Sequence, residues 1–214
     1  MVPESTISTL LVIPYYVIGL ALLAGLFRFP VLTPVQRLIF LLIVITALVE
    51  IASRILWVYK INNLPLFHFF ALAEFYLLCR VYRRALSGLP PIYFDTATAL
   101  FFLFALWNMW YQGLKAFNSH ALTLSAVFFI LLSILYFYQL LKKVEYERLE
   151  KNPMFWINSG VLVYFASSLV LFHLSNRLLT EAQYANGLAW GVHAIFNVFH
   201  YLSFTIALWI RPGP

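Results

Sequence analysis

Long apolar runs recur along the chain near residues 7–27, 36–59, 65–86, 93–112, 120–142, 154–175 and 187–210, each bounded by Pro, Gly, Asn or a charged cluster. Each run approaches the roughly 20 mostly apolar residues that a helix needs to cross a bilayer, and the connections between them are short. The pattern predicts an all-α fold: one integral membrane bundle of seven transmembrane helices filling residues 1–214, with nothing left over for a soluble domain. The leader before the first run carries Glu4 and no Lys or Arg. A secretory signal needs a basic n-region, so this run is expected to be a retained span.

Composition points to the same solvent. A chain that is 63% hydrophobic and 10% charged does not suit a water-covered globule of 214 residues. The net charge of +6 would suggest nucleic acid if it formed a surface, but the basic residues gather at the ends of the runs, so no nucleic-acid partner is expected. Their distribution sets a direction. The first, third and fifth connections carry Arg28 and Arg37, then Arg80, Arg83 and Arg84, then Lys142, Lys143, Arg148 and Lys151, with Arg211 following the last run. The remaining connections contribute Lys60, Lys115 and Arg177. Because Lys and Arg resist translocation, the N-terminus is expected outside and the C-terminus in the cytoplasm. Trp57, Trp110 and Trp190 then fall near the outer boundary and Trp156 and Trp209 near the inner one, where indole rings anchor helices. The single Cys79 has no intrachain partner and receives no role. Thr33-Pro34 and Asn152-Pro153 place proline at the start of runs two and six, a pattern that suits the first turn of a helix and hints at an internal duplication.

Ionisable side chains at membrane depth cost several kcal/mol unless paired or hydrated, so each one marks a candidate site. Glu50 lies about 21 Å along the second run at 1.5 Å per residue. Arg54 follows at i+4 and Trp57 at i+7, a spacing that suits an intrahelical ion pair under an aromatic cap. On the third run His68 sits near the outer end, and Glu74 lies about 14 Å deep with no basic residue at i±3 or i±4. Its partner must come from another helix, or it carries a proton. The seventh run carries His193, Asn197 and His200 as a nearly straight polar stripe that should face the bundle interior. The sixth offers Ser159, Ala166 and His173 at sevenfold spacing, a face suited to close packing, with His173 at its outer end. Asp95 belongs to the opposite end and is expected to face water. Glu50, Arg54, His68, Glu74, His173, His193, Asn197 and His200 are therefore expected to converge in the outward half as one histidine and carboxylate cluster.

Such a cluster suits a receptor-like or sensory protein that binds a small ligand, an ion or a proton in an outward-facing pocket. A signal would leave through the basic run Arg80-Val81-Tyr82-Arg83-Arg84, a possible contact for a cytoplasmic protein partner and also an ordinary positive-inside anchor. A small proton-coupled transporter is the first alternative, resting on Glu74 and the hinted duplication. A zinc-dependent membrane hydrolase is the second, with His68, Glu74, His193 and His200 as the candidate ligands and no catalytic residue assigned. The alkaline ceramidase and adiponectin-receptor superfamily is similar in its seven-helix plan, but it has a His-x-x-x-His pair on its last helix, where this chain has His193 followed by Asn197. His200 is about 10.5 Å along the axis from His193, too far for two imidazoles to share one ion well. Retinal is not expected, since the last run has no lysine for a Schiff base.

The stretch from Asn62-Asn63-Leu64 through His68 to Glu74-Phe75, with His193-Ala194-Ile195-Phe196-Asn197 and Ala207-Leu208-Trp209, resembles an uncharacterised bacterial family of seven-helix membrane proteins. The resemblance implies the architecture and a place in a bacterial cytoplasmic membrane, and it implies no chemistry.

Overall fold

A computed structural model describes residues 3–142, 148–181 and 183–211. Lys143, counted above among the basic residues of the fifth connection, lies outside them. Seven helices account for almost all of the described chain: α1 (Glu4–Arg28), α2 (Pro34–Val58), α3 (Leu64–Ala85), α4 (Pro91–Gln112), α5 (Ser119–Lys142), α6 (Pro153–Glu181) and α7 (Gln183–Trp209). All seven are long and apolar enough to cross a membrane, and there is no strand among the described residues. The runs read from the sequence match these helices closely except at the junction of the last two. There α6 continues to Glu181 and α7 begins at Gln183, because a helix that leaves the apolar layer keeps its own hydrogen bonds and has no need to stop at the boundary.

Local sequence explains the helix ends. Pro34 and Pro153 do open α2 and α6. Thr33 and Gln36 form a reciprocal capping box, in which each side chain accepts a bond from the other's backbone N–H. Gln36 has a second task, since its Nε2 donates to the Ala207 and Ile210 carbonyls at 2.7 and 2.9 Å and so ties the start of α2 to the end of α7. Gly113, at φ 83°, turns the chain after α4 in a conformation that side chains with a Cβ rarely adopt.

The helices form a ring in chain order: α1 packs on α2 and on α7, α2 on α3, α3 on α4, α5 on α6 and α6 on α7, with α3 also touching α5. Leu23, Leu26, Phe27, Leu100, Leu103, Leu131, Val170 and Ile195 point outward and are exposed. That belt suits lipid contact, as expected for a membrane bundle. We call the end with the α2–α3, α4–α5 and α6–α7 connections the upper end, and the other the lower end.

The face by which α6 packs differs from expectation. Ala166 and His173 are exposed, and Ser159 bonds its own Phe155 carbonyl. The buried stripe lies two residues further on, at Val161, Ser168 and Ser175, each 0% exposed. Two residues turn a helix by about 200°, so the heptad spacing was read correctly and the face was reversed. At Gly160 the contact with α7 is tightest: a Cβ there would meet Ser203 Cβ at 2.9 Å and the His200 carbonyl oxygen at 3.2 Å.

Candidate ligand cavity

A cavity of about 370 Å³ lies inside the ring, between α1, α2, α3, α6 and α7. It runs from Asn63, Leu64 and Phe117 at the upper end down to Thr46, Glu74 and Tyr201. Four of the eight expected residues line it: Glu50, Glu74, His193 and Asn197.

Glu74 is 6% exposed and stands about 15 Å into α3, counted from Leu64 at 1.5 Å per residue. No hydrogen bond or ion pair to it is present among the described residues. Glu50, on α2, stands beside the Tyr15 hydroxyl of α1, and both side chains line the cavity. Tyr164 and Tyr201 lie within electrostatic reach of both carboxyls, which places the two acids around one space. Tyr201 also hydrogen-bonds to Thr46 Oγ1, at 3.5 Å.

On α7 the polar stripe turns inward as expected. His193 Nδ1 and Ser168 Oγ are 2.9 Å apart, a bond from α7 to the buried stripe of α6. That contact occupies one ring nitrogen and leaves Nε2 free of protein partners. The Asn197 Oδ1 is buried with no hydrogen-bond partner. His200 lies one turn deeper and does not reach the cavity. Its ring packs against Tyr164 and Phe204, with centroids 4.6 and 4.2 Å apart, and its Nδ1 is unpaired.

Three expected members stand elsewhere. Arg54 is exposed, and its guanidinium lies over the Trp57 ring at 4.3 Å. The expected Glu50–Arg54 ion pair is absent among the described residues, where the ion pairs join Arg83 and Arg80 to Asp95. Two causes separate the pair: Tyr15 meets Glu50 from α1, and the cation gains both an aromatic face and solvent by turning away. His68 is fully buried, but its Nε2 sits 3.0 Å from the Ala116 carbonyl, so it fastens α3 to the α4–α5 connection. His173 is exposed on the outer face of α6. Asp95 does not simply face water, since it receives Arg83 Nη1 at 2.7 and 2.9 Å.

The candidate metal ligands do not assemble. Among the described residues, no three His, Cys, Asp or Glu side chains are placed to hold one ion, and of the four candidates only Glu74 and His193 reach the cavity. No family model matches the chain, and comparison with curated proteins and with solved structures finds no match.

Sequence reasoning did not name the aromatic residues that wall the cavity. Tyr15, Phe67, Phe70, Tyr164, Phe172 and Trp190 line the cavity together with the acids. Trp190 was expected at the membrane boundary, yet its ring faces inward against Phe117 and His193, and its Nε1 donates to Asn186 Oδ1 at 3.0 Å. Pro14 of α1 also lines the cavity. It lacks an N–H, so the Leu10 carbonyl loses its helical donor beside the same space. In a span already apolar throughout, neither an aromatic ring nor a proline announces which way it faces.

Proposed function

We propose that this chain is a receptor-like seven-helix membrane protein that senses a small ligand bound in the cavity between α1, α2, α3, α6 and α7. The observation that carries this reading is one cavity with Glu50, Glu74, His193 and Asn197 on its wall, contributed by three helices. Buried polar groups normally find partners. Here Glu74 lines open space with no hydrogen bond among the described residues, His193 meets Ser168 through Nδ1 alone, and Asn197 stands on the same wall with an unpaired Oδ1. By the distribution of basic residues the upper end faces outward, so the ligand arrives from outside the cell.

Sensing is favoured over proton-coupled transport by what lies below the cavity. The lower half between α3, α5 and α6 is closed by Phe75, Phe129 and Phe165 and by a bonded group of Tyr82, Ser133 and Asn158. A carrier needs an exit on that side, whereas a sensor needs only a packed connection to it.

The test is directional labelling of Leu64→Cys in a Cys79→Ser background, with a thiol reagent that does not cross membranes. Labelling of intact cells, with none from the cytoplasmic face of inverted vesicles, is the expected outcome. Labelling from the cytoplasmic face alone would overturn both the orientation and the outward pocket. Uptake of solute by proteoliposomes under a proton gradient would replace sensing with transport.

A further inference from the structure

Glu50 and Glu74 both line the cavity, and among the described residues that line it none is Lys or Arg. Arg54, the nearest candidate by sequence, is turned onto Trp57 at the surface. Asn197, on the same wall, has a buried Oδ1 with no hydrogen-bond partner. The walls between these oxygens are aromatic, with Tyr15, Tyr164 and Trp190 presenting electron-rich rings. A site with two carboxyl groups, no Lys or Arg among its described lining residues and several aromatic faces has the chemistry that recognises an ammonium group, whose charge favours the ionised carboxyls. A bare metal ion fits less well, since among the described residues no three carboxylate or imidazole ligands gather.

We propose that the ligand is a small organic cation, a primary or quaternary ammonium compound, whose charged head sits between Glu50 and Glu74 against the aromatic wall. The proposal rests on the reading of this cavity as a ligand site, and it adds the class of ligand. A volume of about 370 Å³ admits an ammonium head with a short apolar body, within the usual range for small-ligand pockets. The same head occurs on free amines and on choline or ethanolamine lipids. Tyr15 is 44% exposed while it lines the cavity, so at this residue the cavity wall reaches the outer, lipid-facing surface of the bundle.

Ala194 lines the cavity from α7 and is buried, which makes Ala194→Cys in a Cys79→Ser background a suitable reporter. Purified protein in phosphatidylglycerol nanodiscs is treated with neutral, cationic and anionic methanethiosulfonates, with and without tetramethylammonium. The expected result is that the cationic reagent reacts at least tenfold faster than the anionic one, after correction for their rates with a free thiol. Tetramethylammonium should protect against the neutral reagent, and its neutral isostere tert-butanol should not. Adding Glu74→Gln should reduce both effects tenfold or more, and Glu50→Gln serves as a second variant if the first fails to fold. Reaction with the neutral reagent but no charge preference and no protection would overturn the ammonium proposal and leave the pocket standing. No reaction with any reagent would overturn both. Protection in nanodiscs that contain phosphatidylcholine or phosphatidylethanolamine, without added amine, would support the proposal and identify a lipid headgroup as the source.

Discussion

The two halves of this bundle treat polar side chains in opposite ways. In the lower half Tyr82 donates to Asn158 Oδ1 at 2.6 Å and meets Ser133 Oγ at 2.7 Å, while Asn158 Nδ2 donates to the Ser133 carbonyl at 3.2 Å. Three helices are joined there by a group that closes on itself. In the upper half Glu74 and Asn197 border the cavity without side-chain partners, and His193 uses one nitrogen of two. The difference separates polar groups that hold helices from polar groups that stand at a cavity wall, although both sets lie within the spans. Depth alone therefore does not mark a candidate residue, and neither does an unmet hydrogen bond, which His200 also has; the two together at a cavity wall do.

Variants can break that contrast, and the largest effect is expected in the lower half. Gly160→Leu places a branched side chain where even a Cβ is too close to Ser203 and the His200 backbone. It should destabilise the protein by about 3 kcal/mol, read as a large fall in melting temperature and in the monodisperse fraction in detergent. Asn158→Ala removes the acceptor of the buried Tyr82 hydroxyl and should cost about 2 kcal/mol, with ammonium binding per folded molecule unchanged. Glu74→Gln should do the reverse. Melting temperature should stay level or rise, while ammonium affinity falls at least tenfold, about 1.4 kcal/mol; equal loss of stability and binding would reduce Glu74 to a packing residue. Tyr15→Phe removes a hydroxyl beside Glu50 on the cavity wall and should weaken binding by about threefold, near the 0.6 kcal/mol typical of a hydrogen-bonding group in membranes. His173→Ala, on the outer surface of α6, should leave melting and binding unchanged, and a loss of binding would mean the cavity is wrongly placed.

The helices were legible because apolar runs long enough to cross a bilayer can hardly be anything else, and because prolines, glycines and charged clusters punctuate them. Glu50, Glu74, His193 and Asn197 were legible for a related reason: a polar group in an apolar span must be turned inward or satisfied. That argument reaches its limit with Arg54 and His173. Both stand near helix ends, where a long or amphipathic side chain can reach the boundary, so their spacing did not compel them inward. His68 shows a second limit, since its burial was foreseeable but its capture by the Ala116 carbonyl depends on a connection 48 residues away in sequence. Which aromatic residues form the walls was not legible, for a third reason. In helices apolar on every side, hydrophobic periodicity no longer distinguishes the lipid face from the core face, and only the packing decides.

The ring closes between α1 and α7, helices at opposite ends of the sequence. A ribosome adds roughly 5–20 residues per second, so on the order of ten seconds separate the emergence of the first wall of the cavity from that of the last. Tyr15 and Glu50 meet almost as soon as α2 is made, while His193 and Asn197 arrive only with α7. For that interval Glu74 stands on an open arc of helices, and a chain stalled before α7 has its acids without their enclosure. The cavity's enclosure is thus completed in one late step, when the seventh helix docks against the first.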